Sequence, residues 1–388
     1  MRTSHTKIRQ RIAEEKSKLT DAELFGSTAY AAYLTDIAET AADRYKKKLR
    51  VVTEWNEDEN AHIAYTNNKV IHINCGNYLS RSFPTRLLKA MSIMGLNAHE
   101  LGHVLYMDFS TLNLYAQSLE NGILYPKTPD DLSEEDAENL ENLLEKLSEK
   151  NPFANKVIGY IAHSIANVLE DVYVEERICS DFPGDFKRGI RLNNVRLAED
   201  TPSISKQIEQ SNIEASIVLN TMIQYCKTNT INNLDGYSGE YLDCFYEFIP
   251  IIDEVIDKKD AKVRFDATNR ILIKMWKYVE RMIEQLEKDK SLTPEQLQEL
   301  LNKLLGDMFE RHDSERKAAI EADKTGDSFI YEMFCAELCA NEYAYTGDLE
   351  QILDYFGFTA VMRKKFVEYY LHNFLRITSR GKKVSQMA

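Results

Sequence analysis

Residues 85–107, TRLLKAMSIMGLNAHELGHVLYM, repeat apolar side chains at intervals of three and four, directly after Pro84. The segment carries so little charge that a helix formed here is expected to be buried on most sides. Buried polar groups need partners, and this helix carries His99, Glu100 and His103. Residues four apart share a helix face, so the two imidazoles project together with Glu100 beside them. Whatever the chain folds into must bring a partner to that face.

A second segment of the same period can supply it. Residues 154–178, ANKVIGYIAHSIANVLEDVYVEERI, read as a helix ended by Cys-Ser-Asp-Phe-Pro-Gly at 179–184. Ile158, Ile161, Ile165, Val168 and Val172 are apolar, while His163, Asn167 and Glu170 recur at i, i+4 and i+7 as a polar stripe. An amphipathic helix with that stripe in water accounts for the pattern. So does a helix whose acids, Glu170 and Asp171 followed by Glu175 and Glu176, meet the buried face of 85–107.

The rest of the chain frames these two segments. Only 15 Gly and 8 Pro among 388 residues argue for long helices, and the length allows one large domain with appendages or two domains. Residues 8–49 read as one or two helices. Val, Ile, Tyr and Thr then alternate with polar residues in 50–55 and in 61–76, where Asn67-Asn68 marks a β-hairpin turn. Beyond about 190 the period is helical again, with a polar break at 227–240 and a capped start at 291–296, where Thr293 caps and Gln296 returns the bond. A charged span follows at 310–328, then apolar blocks at 329–345 and 352–375. The expected fold is mainly α, of the α+β class: N-terminal helices over 1–49, a core over 50–190 with a small hairpin or mixed sheet beside the histidine-bearing helix, and a helical C-terminal region over 191–388 packing on that core.

Composition removes several classes of function. A net charge of −14 offers no basic face for nucleic acid. The acidic stretch at 130–150 has Leu140, Leu143, Leu144 and Leu147 at helical spacing, which reads as a solvated amphipathic helix. Six cysteines without a C-x-x-C pair fit reduced, buried thiols. The first residues lack an apolar leader segment, and no stretch nears 18 uninterrupted apolar residues, so the expectation is a cytoplasmic protein that neither enters nor crosses a membrane.

H-E-x-x-H spacing suits zinc: two imidazoles on one helix face bind the ion, and the intervening carboxylate acts as general base toward an attacking water. The spacing also occurs in helices where the histidines only satisfy local hydrogen bonds. Three features favour the metal: the apolar setting, the small Gly102 that lets another element approach, and the neighbouring hairpin, whose edge can receive an extended peptide by strand addition. A histidine six residues past His103 would mark one branch of such enzymes, but Phe109 stands there. Glu170 is therefore the preferred third ligand, with Asp171 supporting a bound histidine from behind; Asp171 or Glu175 taking the metal instead remains open. His163, Tyr106 and Tyr173 are weaker candidates for stabilising an oxyanion or orienting substrate.

H-E-L-G-H at 99–103, joined to N-V-L-E-D-V-Y-V-E-E at 167–176, resembles zincin-fold metallopeptidases of the gluzincin kind. The likeness extends over roughly 50–180 to the metallopeptidase domain found ahead of von Willebrand factor A modules in bacterial and phage proteins. It implies a zincin-like core, Zn2+ on His99, His103 and an acid at 170 or 171, Glu100 as catalytic base, and a peptide or protein substrate. A von Willebrand factor A-type protein or another partner is also implied, although this chain has no D-x-S-x-S motif. Thermolysin-like enzymes place an aspartate four residues after the glutamate ligand, whereas Val174 stands four after Glu170. The competing expectation is a zincin-fold scaffold that binds a protein partner without catalysis, and a third is a metal-dependent hydrolase acting on something other than peptides.

Overall fold

The computed structural model describes Lys7 and residues 18–58, 61–231, 234 and 236–288. The expected helix start at 291–296, the blocks at 310–375, and two of the six cysteines, at 335 and 339, lie outside the described residues. In chain order the elements are α1 (Asp21–Phe25), α2 (Thr28–Ala42), β1 (Arg50–Glu54), β2 (Ala64–Thr66), β3 (Val70–Asn74), α3 (Tyr78–Arg81), α4 (Arg86–Tyr106), α5 (Phe109–Glu120), α6 (Glu134–Ser148), α7 (Pro152–Asp181), α8 (Asp185–Asp200), α9 (Ile204–Glu209), α10 (Glu214–Thr228), α11 (Glu240–Tyr246), α12 (Ile249–Val255), α13 (Ala261–Lys274) and α14 (Trp276–Lys288). The described chain is mainly helical with one small mixed sheet. None of its helices is long and apolar enough to cross a membrane.

Local chemistry sets the ends of the two central helices. Thr85 caps α4 by accepting from the amide of Leu88. The second helix runs to Asp181, three residues past the end expected from sequence. Cys179, Ser180 and Asp181 tolerate helical backbone, and the stop comes from Pro183, which forces the residue before it toward extended backbone.

Contacts group the described residues into two compact units that interleave along the chain: one from the described part of 1–107 with 167–257, the other from 108–166 with 258–287. The sequence-derived segments 1–49, 50–190 and 191–388 instead follow chain order. Helix α7 contributes residues to both units.

In the first unit the strand order is β1-β3-β2. The expected hairpin is present: β2 pairs antiparallel with β3, Tyr65 opposite His72. Asn67 Oδ1 accepts from the amide of Val70 at 2.8 Å, and Asn68 takes positive φ at 68°. β1 joins the other edge of β3 in parallel, Val51 opposite Ile71. Val51, Ala64, Ile71 and Ile73 point into the core, where they meet Leu34 and Ala38 of α2 and Ile93, Leu101 and Val104 of α4. On the other sheet face Tyr65 stacks on His72 at 4.5 Å. Thus α4 lies under the sheet with its motif in the interior.

Helix α8 fixes the other side of α4. A Cβ built on Gly95 would stand 2.3 Å from the carbonyl carbon of Gly189, so the two backbones touch. One turn further on, Asn193 Nδ2 donates to Ser92 O at 2.9 Å.

The second unit holds α5, α6, α13 and α14 with the first half of α7. Tyr115 stacks on Phe265 at 4.7 Å and donates to Asn269 Oδ1 at 3.1 Å, while Lys274 pairs with Asp136 at 3.0 Å. The acidic tract is the amphipathic helix α6, burying Leu143 and Leu147.

Candidate metal centre

All the groups described here except His163 belong to the first unit. His99 and His103 lie one turn apart on α4 and are 7% and 5% exposed. Their Nε2 atoms face each other at 3.0 Å. Asp171 of α7 directs Oδ1 at both, 3.3 Å from His103 Nε2 and 3.7 Å from His99 Nε2. Among the described residues, His99, His103 and Asp171 form the one group of three whose ligand atoms converge.

The outer nitrogens bear on what that convergence can hold. His99 Nδ1 lies 2.9 Å from Glu175 Oε1, and a carboxylate only accepts, so the proton sits on Nδ1. His103 Nδ1 lies 3.2 Å from the Met107 thioether, which also only accepts. With a proton on each Nδ1 and none on Nε2, both Nε2 atoms present lone pairs to each other and to a carboxylate oxygen. Three acceptors at such spacing repel unless a positive charge stands among them, either a proton on one imidazole or a metal ion. Tetrahedral zinc with bonds near 2.0–2.1 Å separates its ligand atoms by about 3.3 Å, the middle of the observed set.

The acids are held in turn. Glu175 Oε1 also accepts from Lys227 Nζ at 2.8 Å, and its Oε2 accepts from Asn194 Nδ2 of α8 at 2.7 Å. Lys227, in the last turn of α10, stands 3.8 Å from Asp171 Oδ2. Burial pushes the Glu175 carboxyl up, but the Lys227 ammonium and the bond with His99 prevail and bring it down to about 2. Burial likewise opposes ionisation of Asp171; the imidazoles of His99 and His103, when protonated, together with Lys227 outweigh it and keep this carboxyl below the ordinary carboxylate range.

Glu100, 1% exposed, has a buried Oε2 with no hydrogen-bond partner among the described residues. An orphaned carboxylate oxygen in the interior is costly, and it sits on the residue next to a histidine of the converging group.

Glu170 is equally buried but is not a member of the converging group. Neighbouring residues on a helix point about 100° apart, so once Asp171 faces the imidazoles Glu170 is turned aside, while Glu175, one turn on, stays on the Asp171 side. His163 stands eight residues before Asp171 on α7, in the second unit, and is also outside the group. Tyr106 donates to Asp181 Oδ2 at 2.9 Å, and Tyr173 is a buried side chain of α7. Asn194 and Lys227 escaped sequence reasoning. Each stands in an ordinary amphipathic helix far along the chain, and no spacing signals that it meets an acid on α7.

A family described as of unknown function (DUF7659) matches residues 299–375, outside the described residues. No curated protein and no solved structure matches the chain.

Proposed function

We propose that the chain is a zinc-dependent peptidase with a zincin-like core, in which His99, His103 and Asp171 hold the ion and Glu100 is the general base. One observation carries the reading: two imidazole nitrogens and a carboxylate oxygen converge in the interior, beside a helix that bears a carboxylate oxygen with no partner among the described residues. The donor set of two nitrogens and one oxygen fits a catalytic zinc, which takes three protein ligands and leaves one position open. Asp171 and Glu175 stand four residues apart, the spacing of the two acids in thermolysin-like enzymes, with the residue types exchanged.

Bound zinc supplies Lewis acidity, which acidifies water and polarises a carbonyl. The protein's own groups do the rest. Glu175 fixes His99 in the tautomer that leaves Nε2 free to bind. Glu100 takes the proton from the attacking water and returns it to the leaving amine. Burial of the histidines and acids strengthens each of these interactions by excluding competing solvent. Strand β2, at the sheet margin and packed near α4, offers an edge along which an extended peptide can lie.

A purely structural zinc would close its fourth position with protein and needs no base beside it, so Glu100 weighs against a non-catalytic scaffold. The test is Glu100→Gln. Zinc content and folding should equal those of the wild type, while turnover of a broad peptide library drops to background. Equal turnover by the two proteins would remove Glu100 from the reaction.

A further inference from the structure

Lys227 reaches both acids of the centre, as the ammonium partner of each. It holds Glu175 Oε1 at 2.8 Å and stands 3.8 Å from Asp171 Oδ2, while Asp171 Oδ1 faces the imidazoles. Each acid therefore has a divided task. Glu175 Oε1 is shared between Lys227 and His99, its Oε2 is taken by Asn194, and Asp171 has one oxygen toward the lysine and the other toward the histidines. Lys227 itself is 11% exposed at its side chain, so its attraction for both carboxylates is little screened.

We propose that Lys227 is a positioning residue that keeps Asp171 a one-oxygen ligand and Glu175 an outer support of His99, so that the fourth coordination position stays open for water or substrate. This rests on the zinc reading above. A carboxylate can bind an ion through one oxygen or through both. Electrostatic attraction of Oδ2 to the ammonium opposes rotation of the Asp171 carboxylate about its axis, the motion that would bring Oδ2 onto the ion. Removing the charge frees that rotation, and the extra oxygen raises the coordination number. It also loosens Glu175, whose remaining ties are His99 and Asn194.

The experiment is titration with Co2+, whose visible absorption is intense when four-coordinate and weak when five- or six-coordinate, together with Zn2+ affinity from chelator competition. The proteins are the full-length wild type, Lys227→Arg, Lys227→Met and the double variant Lys227→Met/Glu175→Gln. The double variant loses one charge of each sign and so guards against misfolding from an unbalanced buried acid. Circular dichroism of each metal-free protein establishes that it is folded. The wild type should bind one equivalent with an intense four-coordinate spectrum. Both Met-containing proteins should still bind one equivalent, with affinity lowered about 10- to 100-fold and absorption fallen toward the five-coordinate level, and Arg should restore the wild-type spectrum. A wild-type spectrum and affinity in folded Lys227→Met or in the double variant would overturn the proposal. Absence of metal binding by the folded wild type would instead overturn the zinc reading, and this proposal with it.

Discussion

Gly102 lies against Val174: a Cβ added to the glycine would stand 3.3 Å from the Val174 carbonyl oxygen and 3.4 Å from its Cβ. The helix with the imidazoles and the helix with the acids therefore meet inside the H-E-L-G-H sequence itself. Val174 is flanked on α7 by Glu175 and, one turn back, by Glu170 and Asp171. Contact at this residue brings the acid face of α7 within reach of His99 and His103.

Three glycine-to-alanine substitutions separate helix propensity from packing. Alanine is favoured over glycine in a helix by about 1 kcal/mol. Gly159 of α7 has open space where a Cβ would go, so Gly159→Ala should stabilise by most of that amount. At Gly102 the contact with Val174 offsets the gain, and stability should change little. At Gly95 the new atom would overlap Gly189 backbone, and Gly95→Ala should cost about 3 kcal/mol through forced separation of α4 from α8. Urea unfolding of the three proteins checks the order; a Gly95→Ala protein as stable as the wild type would contradict the backbone contact.

Replacing the acids singly distinguishes the ligand from its neighbour. Asp171→Ala should lose zinc, and with it the added stability of about 2.7 kcal/mol that free zinc at a hundred times its dissociation constant confers on a specific binder. Glu170→Ala should keep one zinc per chain whatever it does to packing. Metal analysis after dialysis, with thermal unfolding in zinc and in chelator, reads both. Zinc retained by Asp171→Ala and lost by Glu170→Ala would reverse the assignment.

The support of His99 has its own signature. Asn194→Ala leaves the three converging atoms untouched but removes the donor to Glu175 Oε2. It should weaken zinc binding by about 10- to 100-fold without abolishing it. Competition with a chromogenic chelator measures the change, and an unaltered affinity would show that Glu175 is held well enough without Asn194.

Lys47 gives a pH dependence of determined sign. Burial lowers its ammonium to about 8, and its Nζ donates to Val104 O near the end of α4. The folded protein sheds this proton near pH 8 while the unfolded chain keeps it to about 10.4. Between those values the unfolded state binds more protons, so the contribution of Lys47 to stability rises with pH. The stability difference between wild type and Lys47→Met should therefore shift in favour of the wild type from pH 8 to pH 10, as read from urea midpoints. A difference flat across that window would mean that Lys47 is not desolvated.

Much of the architecture around the centre is legible in order along the chain. Apolar positions every three to four residues mark α4 and α7, alternation around Asn67-Asn68 marks the β2–β3 hairpin, and four-residue spacing puts His99 and His103 on one face. The pairing of β1 with β3 is different in kind. Arg50–Glu54 has strand composition, but whether it joins in parallel, and on which edge, depends on how α2 and α4 cover the sheet.

The sequence by itself determined that a buried helix would present two imidazoles and a carboxylate, because helical periodicity is a local property of backbone geometry. Tertiary structure alone decided which acid answers them. Glu170 and Asp171 are adjacent and chemically alike, and a rotation of α7 by about 100° exchanges them; that rotation is set by where Val174 seats on Gly102. The same holds for Asn194 and Lys227, which reach Glu175 from two further helices. Their place depends on packing between distant segments, and no local pattern encodes it.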